Sequence, residues 1–63
     1  MESNVKQLMD NKSYTVSKVA EKANLSEDVI WKAKNHIEFC TIRSLQKIAN
    51  VLGCKVKDLF EED

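Results

Sequence analysis

The residues that commonly do chemistry are few in this 63-residue chain, and their spacing does not suggest catalysis. The only histidine is His36, and the only cysteines are Cys40 and Cys54. No glycine-rich loop and no base–nucleophile pair accompany them, so we expect no enzymatic activity. No C-x-x-C or H-x-x-x-H spacing is present, so we expect no metal and no cofactor. Both cysteines are expected to be reduced thiols that take the place of small apolar residues.

A different kind of chemistry is available between residues 27 and 35. If Ile30 and Ala33 face a core, helical geometry turns a set of polar and aromatic residues outward. These residues are Glu27, Asp28, Trp31, Lys32 and Asn35. Carboxylates can accept a hydrogen bond from cytosine N4, and an apolar ring can pack on a thymine methyl.

Three other interpretations of the same residues remain open. Acidic side chains in a first turn stabilise a helix through its dipole, whatever else they do. An outward Trp31 can anchor a protein partner, or it can fold back over Phe39 or the neighbouring helix as a lid on the core. The residue types alone do not choose between these alternatives.

Two short capped helices are predicted around this segment. Thr15 precedes apolar residues at helical spacing from Val16 to Ala23, and Ser26 precedes a second set from Val29 to Ala33. Tyr14 and Leu25, each just before a cap, can form hydrophobic staples. Two capped helices joined by a three- or four-residue turn form a helix-turn-helix unit, whose second helix can enter a DNA major groove.

The whole pattern predicts one all-α domain over residues 1–63, with five helices, no strands and an acidic end at 58–63. The expected helices span about 4–11, 16–23, 27–34, 42–52 and 56–60, and Thr41 is expected to cap the fourth. Ser3 or Asn4 should cap the first, and Asn24 and Gly53 should adopt left-handed conformations at helix ends. The residues expected in the core are Leu8, Val19, Ala20, Leu25, Ile30, Leu45, Ile48 and Leu52. Ile42 is expected on the buried face of the fourth helix, and Ile37 and Phe39 are expected to anchor the loop before it.

Charge is balanced overall but not along the chain. The chain has ten basic and ten acidic residues, but residues 1–57 contain all ten basic residues and only six of the acidic ones. The basic excess therefore lies in the body of the domain, where nucleic acid would bind. The longest apolar run is three residues, and the N-terminus has no apolar segment, so we expect a cytoplasmic protein without membrane association.

The chain resembles the Cro-like phage repressor family, which has the lambda-repressor-like helix-turn-helix fold and occurs in phage and bacterial regulators. The resemblance covers about residues 4–60. Its helix-turn-helix positions are Val19, Ala20, Leu25, Ser26 and Ile30. Its C-terminal positions are Ile42, Leu45, Ile48, Ala49, Leu52, Gly53, Val56, Leu59 and Phe60. The chain departs from the family pattern at Val16, where glutamine is usual, and at Met9 and Lys34, which replace an arginine–glutamate pair. His36 and Cys40 stand where glycine and proline are usual.

The resemblance implies a small transcriptional regulator, of repressor type, that binds double-stranded DNA as a homodimer with helix 27–34 in the major groove. Glu27, Asp28, Trp31 and Lys32 would read bases. Thr15, Lys18, Lys34, Asn35, Thr41 and Arg43 would contact phosphates. Val56, Leu59 and Phe60 would form the dimer contact. The alternative is a protein-interaction module on the same fold, with Trp31, Glu27 and Asp28 contacting a protein partner.

Overall fold

The computed structural model describes residues 3–60 as four α-helices and two short 3-10 helices. The α-helices are α1 (Val5–Asn11), α2 (Val16–Ala23), α3 (Glu27–Asn35) and α4 (Ile42–Leu52), and the 3-10 helices are Ile37–Phe39 and Val56–Leu59. The all-α prediction is confirmed, but the count of five helices is not, because the last segment is a single 3-10 turn. None of the helices within residues 3–60 is long and apolar enough to cross a membrane.

Side-chain caps begin three of the four α-helices, α2, α3 and α4. Thr15 Oγ1 accepts a hydrogen bond from Lys18 N at 3.1 Å, and Thr41 Oγ1 accepts one from Ser44 N at 3.1 Å. Ser26 Oγ accepts a longer one from Val29 N at 3.4 Å. Each cap satisfies a backbone N–H that has no partner within its helix.

The first helix begins differently, and its start joins the two ends of the described chain. Asn4 holds the N-cap position without a side-chain cap, while Ser3 Oγ accepts from Val5 N at 3.1 Å. Asn4 N donates to Leu59 O at 2.7 Å, and Ser3 pairs with Phe60 in an isolated antiparallel bridge. The Ser3 hydroxyl also donates to Ala33 O, which fixes the C-terminal half of α3 against the start of α1.

Two helix ends have the left-handed residues that the sequence predicts. Asn24 follows α2 with φ 57°, and Gly53 follows α4 with φ 71°. Asparagine and glycine are the residues that adopt this conformation at the lowest cost. His36 follows α3 with φ −142°, so this helix end does not need the glycine that the family usually has there.

The core lies between the four α-helices and is mostly the predicted one. Its buried residues are Val5, Met9, Val19, Ala20, Ala23, Ile30, Ala33, Ile37, Leu45, Ile48, Ala49, Leu52 and Leu59. Leu8 and Leu25 are only partly buried, although both pack against this core. At the acidic end, Asp58 Oδ2 accepts from Lys55 N at 3.1 Å and so begins the last 3-10 helix, while residues 61–63 lie outside the described residues.

Two hydrophobic residues that were expected inside are exposed. Ile42 is 68% exposed, because as the first residue of α4 it lies beyond the elements that cover Leu45 on the same stripe. Phe39 is 71% exposed, and its ring lies beside the His36 ring at a centroid distance of 5.8 Å. Ile37 alone anchors this loop, since it is fully buried.

Candidate nucleic-acid interface

The turn between α2 and α3 is short and held by backbone hydrogen bonds. Asn24 N donates to Glu21 O at 3.3 Å, and Leu25 N donates to Ala20 O at 2.9 Å. These bonds fix where α3 starts relative to α2, and α3 then packs its Ile30 and Ala33 face inward. The turn and the buried face of α3 thereby set the direction in which its outer face points.

The exposed face of α3 is the one that the sequence predicts. Glu27, Asp28, Trp31, Lys32 and Asn35 are all exposed, whereas Ile30 and Ala33 are fully buried. Trp31 is 50% exposed, so it is not the core lid that one interpretation proposed. The face is acidic in its first turn and basic towards its end.

Among the described residues, 3–60, no lysine or arginine forms an ion pair with the two acids of α3. Within residues 3–60 the one contact of 4.0 Å or less between a basic and an acidic side chain joins His36 Nδ1 to Glu38 Oε1 at 4.0 Å, on the exposed loop after α3. The carboxylates of Glu27 and Asp28 are therefore free to accept hydrogen bonds from a ligand. They also lie at the positive end of the α3 dipole, which stabilises their charge.

Trp31 has two partners on its own helix that sequence analysis missed. Lys34 Nζ lies 4.4 Å from the centroid of the Trp31 ring, within the range of a cation–π interaction. Asn35 Nδ2 donates to Trp31 O at 3.1 Å. The i, i+3 spacing of Trp31 and Lys34 was the available signal, because such pairs are neighbours on a helix.

Met9 in the first helix and Lys34 in the third replace the arginine–glutamate ion pair of the family that the chain resembles, and they leave no buried charge. Met9 is 2% exposed and belongs to the core, while Lys34 is half-buried and directs its ammonium group to Trp31. A lone buried charge at either position would be costly. The predicted phosphate role of Lys34 therefore competes with its contact to Trp31.

The other residues that are predicted to contact DNA phosphates lie near helix N-termini. Thr15 and Lys18 are exposed at the start of α2, and Thr41 and Arg43 are exposed at the start of α4. Val16 packs partly against the core, so it does not offer a polar group where the family usually has glutamine. Backbone N–H groups at helix starts of this kind can donate hydrogen bonds to an anion.

The loop after α3 keeps the start of α4 close to α3. Cys40 Sγ lies 3.9 Å from Val29 O, to which it donates a weak hydrogen bond. Burial raises the pKa of the Cys40 thiol, with the Lys32 charge lowering it and the Glu38 charge raising it. Burial likewise raises the pKa of Cys54, helped by Asp58 and opposed by Lys12. Both free thiols are therefore poor nucleophiles at neutral pH.

The predicted dimer contact needs one correction. Leu59 is fully buried in the core of the single chain, so it has no surface to offer a partner. Val56 and Phe60 are partly buried and keep some exposed surface. Phe60 also lines a shallow groove together with Leu8 and Cys54.

The fold and the exposed α3 face define a helix-turn-helix domain of the DNA-binding class. The family model for the Cro/C1-type HTH DNA-binding domain matches residues 4–62. The chain therefore belongs to the Cro/C1-type family, which is typically not enzymatic. A comparison with curated proteins found no match. The family supports a DNA-binding regulator as the general role of the chain.

Proposed function

We propose that this protein is a sequence-specific regulator of transcription, of repressor type, that binds double-stranded DNA with α3 in the major groove. The observation that carries the proposal is the outer face of α3, where Glu27, Asp28, Trp31 and Lys32 are exposed together and carry groups able to contact base edges. An α-helix fits the width of the major groove, and a helix-turn-helix unit presents its second helix there.

Base reading would begin at the acidic first turn of α3. Glu27 and Asp28 would accept hydrogen bonds from cytosine N4, and Lys32 would donate to guanine O6 or N7 on the same face. Two carboxylates approach the DNA polyanion at an electrostatic cost. Because of that cost, the protein would bind weakly to any DNA site that lacks cytosine amino groups at these positions. The acids would therefore increase sequence specificity and lower overall affinity.

Phosphate contacts would flank α3 and set its position on the duplex. Lys18 and Arg43, with the free backbone N–H groups after Thr15 and Thr41, would bind the backbone on either side of the groove. Asn35 would contact a phosphate from the end of α3. Such contacts position the domain without reading sequence.

We further propose a homodimer that uses Val56 and Phe60. Two symmetry-related copies would place two α3 helices about 34 Å apart, one helical turn of DNA, on the same side of the duplex. The proposed operator is accordingly two inverted half-sites. Sedimentation at increasing protein concentration would detect the dimer.

The experiment that tests DNA binding is a titration of a labelled non-specific duplex at a series of salt concentrations. We expect the logarithm of the affinity to fall linearly with the logarithm of salt, because cationic side chains displace counterions from phosphates. Affinity that is undetectable at low salt, or that does not change with salt, would contradict the proposal.

Three exposed hydrophobic side chains favour one second candidate, a protein-interaction module on the same fold. Trp31, Phe39 and Ile42 each expose half or more of their surface, and buried aromatic anchors are typical of protein interfaces. In this alternative, Trp31, Glu27 and Asp28 contact a protein partner. Loss of a partner on Trp31→Ala, with DNA affinity unchanged, would favour it.

A further inference from the structure

We infer that Trp31 is a specificity-determining residue that packs against the 5-methyl group of a pyrimidine in the major groove. The inference rests on the proposed function, since it assumes that α3 lies in the groove. It adds the chemical group that the only tryptophan of the chain recognises. It also assigns to Lys34 the role of positioning the ring.

The position of Trp31 on α3 is the first step. Trp31 follows Glu27 by one helical turn, and both are exposed on the outer face. A groove that receives Glu27 and Lys32 therefore also receives the exposed half of the indole. The ring cannot withdraw into the core at this position, because Ile30 and Ala33 already fill the inner face of the helix.

The Lys34 contact is the second step. With its Nζ 4.4 Å from the ring centroid, the Lys34 ammonium occupies one face of the indole. This contact favours the observed orientation of the ring on the helix surface over its other rotamers. An ordered aromatic surface loses less conformational entropy when it binds.

The chemistry of the groove supplies the third step. Base edges in the major groove present mostly hydrogen-bond donors and acceptors, and the 5-methyl group of thymine is the apolar group that projects into the groove. An apolar ring that displaces water there is favourable only where it meets an apolar partner. The same methyl group is present on 5-methylcytosine, so the ligand is a 5-methylpyrimidine from either source.

The test begins by selecting bound duplexes from a randomised pool with the full chain. The selected duplex is then remade with deoxyuridine in place of each thymidine in turn, which removes only the methyl group. In separate duplexes, 5-methylcytosine replaces each cytosine, which adds a methyl group. Affinities are measured for the parent, for Trp31→Ala, and for Phe39→Ala as a matched aromatic control outside α3.

We expect one position in each half-site where loss of the methyl weakens binding by about 3- to 10-fold, the effect of one buried methyl group. The loss should disappear in Trp31→Ala and persist in Phe39→Ala. If the sensitive position is instead a cytosine, adding its methyl should tighten binding of the parent by a similar factor. Circular dichroism should show that both variants fold, since both side chains are largely exposed.

Several results would overturn the inference. One is a parent that binds its selected duplex but is insensitive to every methyl group, which leaves the proposed function intact. Another is an equal methyl effect in the parent and in Trp31→Ala. A third is a Trp31→Ala variant that binds every duplex like the parent but loses self-association, which would make Trp31 a protein contact. A pool that yields no bound duplex would contradict the proposed function itself.

Discussion

Glu27 and Asp28 bring negative charge to the proposed DNA interface, and this charge decides which bases they can contact. Neither carboxylate has an ion-pair partner within residues 3–60, so both can act as acceptors. Adenine and cytosine both carry an exocyclic amino group in the major groove, but adenine N7 would repel a carboxylate. Cytosine is therefore the base that we assign to these two positions.

Changing the acids to amides should change base preference. In Glu27→Gln or Asp28→Asn, the side chain gains a donor and can bind adenine N6 and N7 together. We expect the preferred base at one position per half-site to change from cytosine to adenine, with discrimination of about 1–3 kcal/mol. Selection from a randomised duplex pool would measure this. As a control, Glu21→Gln makes the same charge change on the exposed side of α2 and should leave the base preference unchanged. If all variants keep the base preference of the parent, the acids do not read bases.

The loss of Arg43 and the loss of Lys32 should change DNA affinity in different ways. Arg43→Ala should weaken binding to all sequences alike and reduce the salt slope by about one unit, because a phosphate contact carries no sequence information. Lys32→Ala should lose affinity mainly at particular bases. Lys6→Ala removes the same charge from the exposed side of α1 and serves as the control. Identical losses in all three variants would indicate only a general effect of net charge.

The helices and their ends were predictable because their signals are local. Thr15, Ser26 and Thr41 cap helices through bonds to residues three positions later, so the sequence alone reveals them. The exposure of Ile42 and the burial of Leu59 depend on which distant elements cover each residue. The helical spacing of apolar residues cannot show this. It identifies the side of a helix that faces the core, but not which residues on that side are buried by other elements.

The exposed face of α3 was predictable to the same degree and for the same reason. The outward face of α3 follows from its period, and the structure confirms it. The contact of Lys34 with Trp31 was missed, because a lysine at that spacing has several rotamers and only one lies over the ring. The roles of these residues towards DNA stay predictions.

At the end of α4, Gly53 is needed for its backbone conformation. It has φ 71°, and a Cβ added there would meet only the end of the Lys12 side chain, at 3.8 Å. Gly53→Ala should therefore cost about 1–2 kcal/mol through left-handed backbone strain alone, or roughly 4–16 °C in Tm for a domain of this size. Thermal denaturation followed by circular dichroism measures it. Asn50→Ala, on the exposed side of α4, should not lower Tm, and an unchanged Tm for Gly53→Ala would contradict the assigned strain.

For the whole molecule, the small core makes stability sensitive to single side chains. Ile30 and Leu45 are 0% and 2% exposed, and truncating such residues costs about 2–5 kcal/mol. A domain of this size has little more stability than that. We expect Ile30→Ala and Leu45→Ala to be largely unfolded near physiological temperature in circular dichroism.

Ile42→Ala provides the matched control for that prediction. It removes the same atoms as Ile30→Ala, but from a side chain that is 68% exposed. Its cost should stay within about 0.5 kcal/mol, as is usual for surface changes. Equal melting temperatures for the two isoleucine variants would show that the assigned core is wrong.

The central claim is that the outer face of α3 contacts DNA, and the fluorescence of Trp31 tests it most directly. Trp31 is the only tryptophan in the chain, so its emission reports on this face alone. The full chain is titrated with a duplex selected from a randomised pool, and anisotropy of a label on the duplex shows when binding is complete. We predict that Trp31 emission changes in proportion to the bound fraction and returns when salt dissociates the complex. Emission that stays constant while the duplex becomes fully bound would contradict the claim.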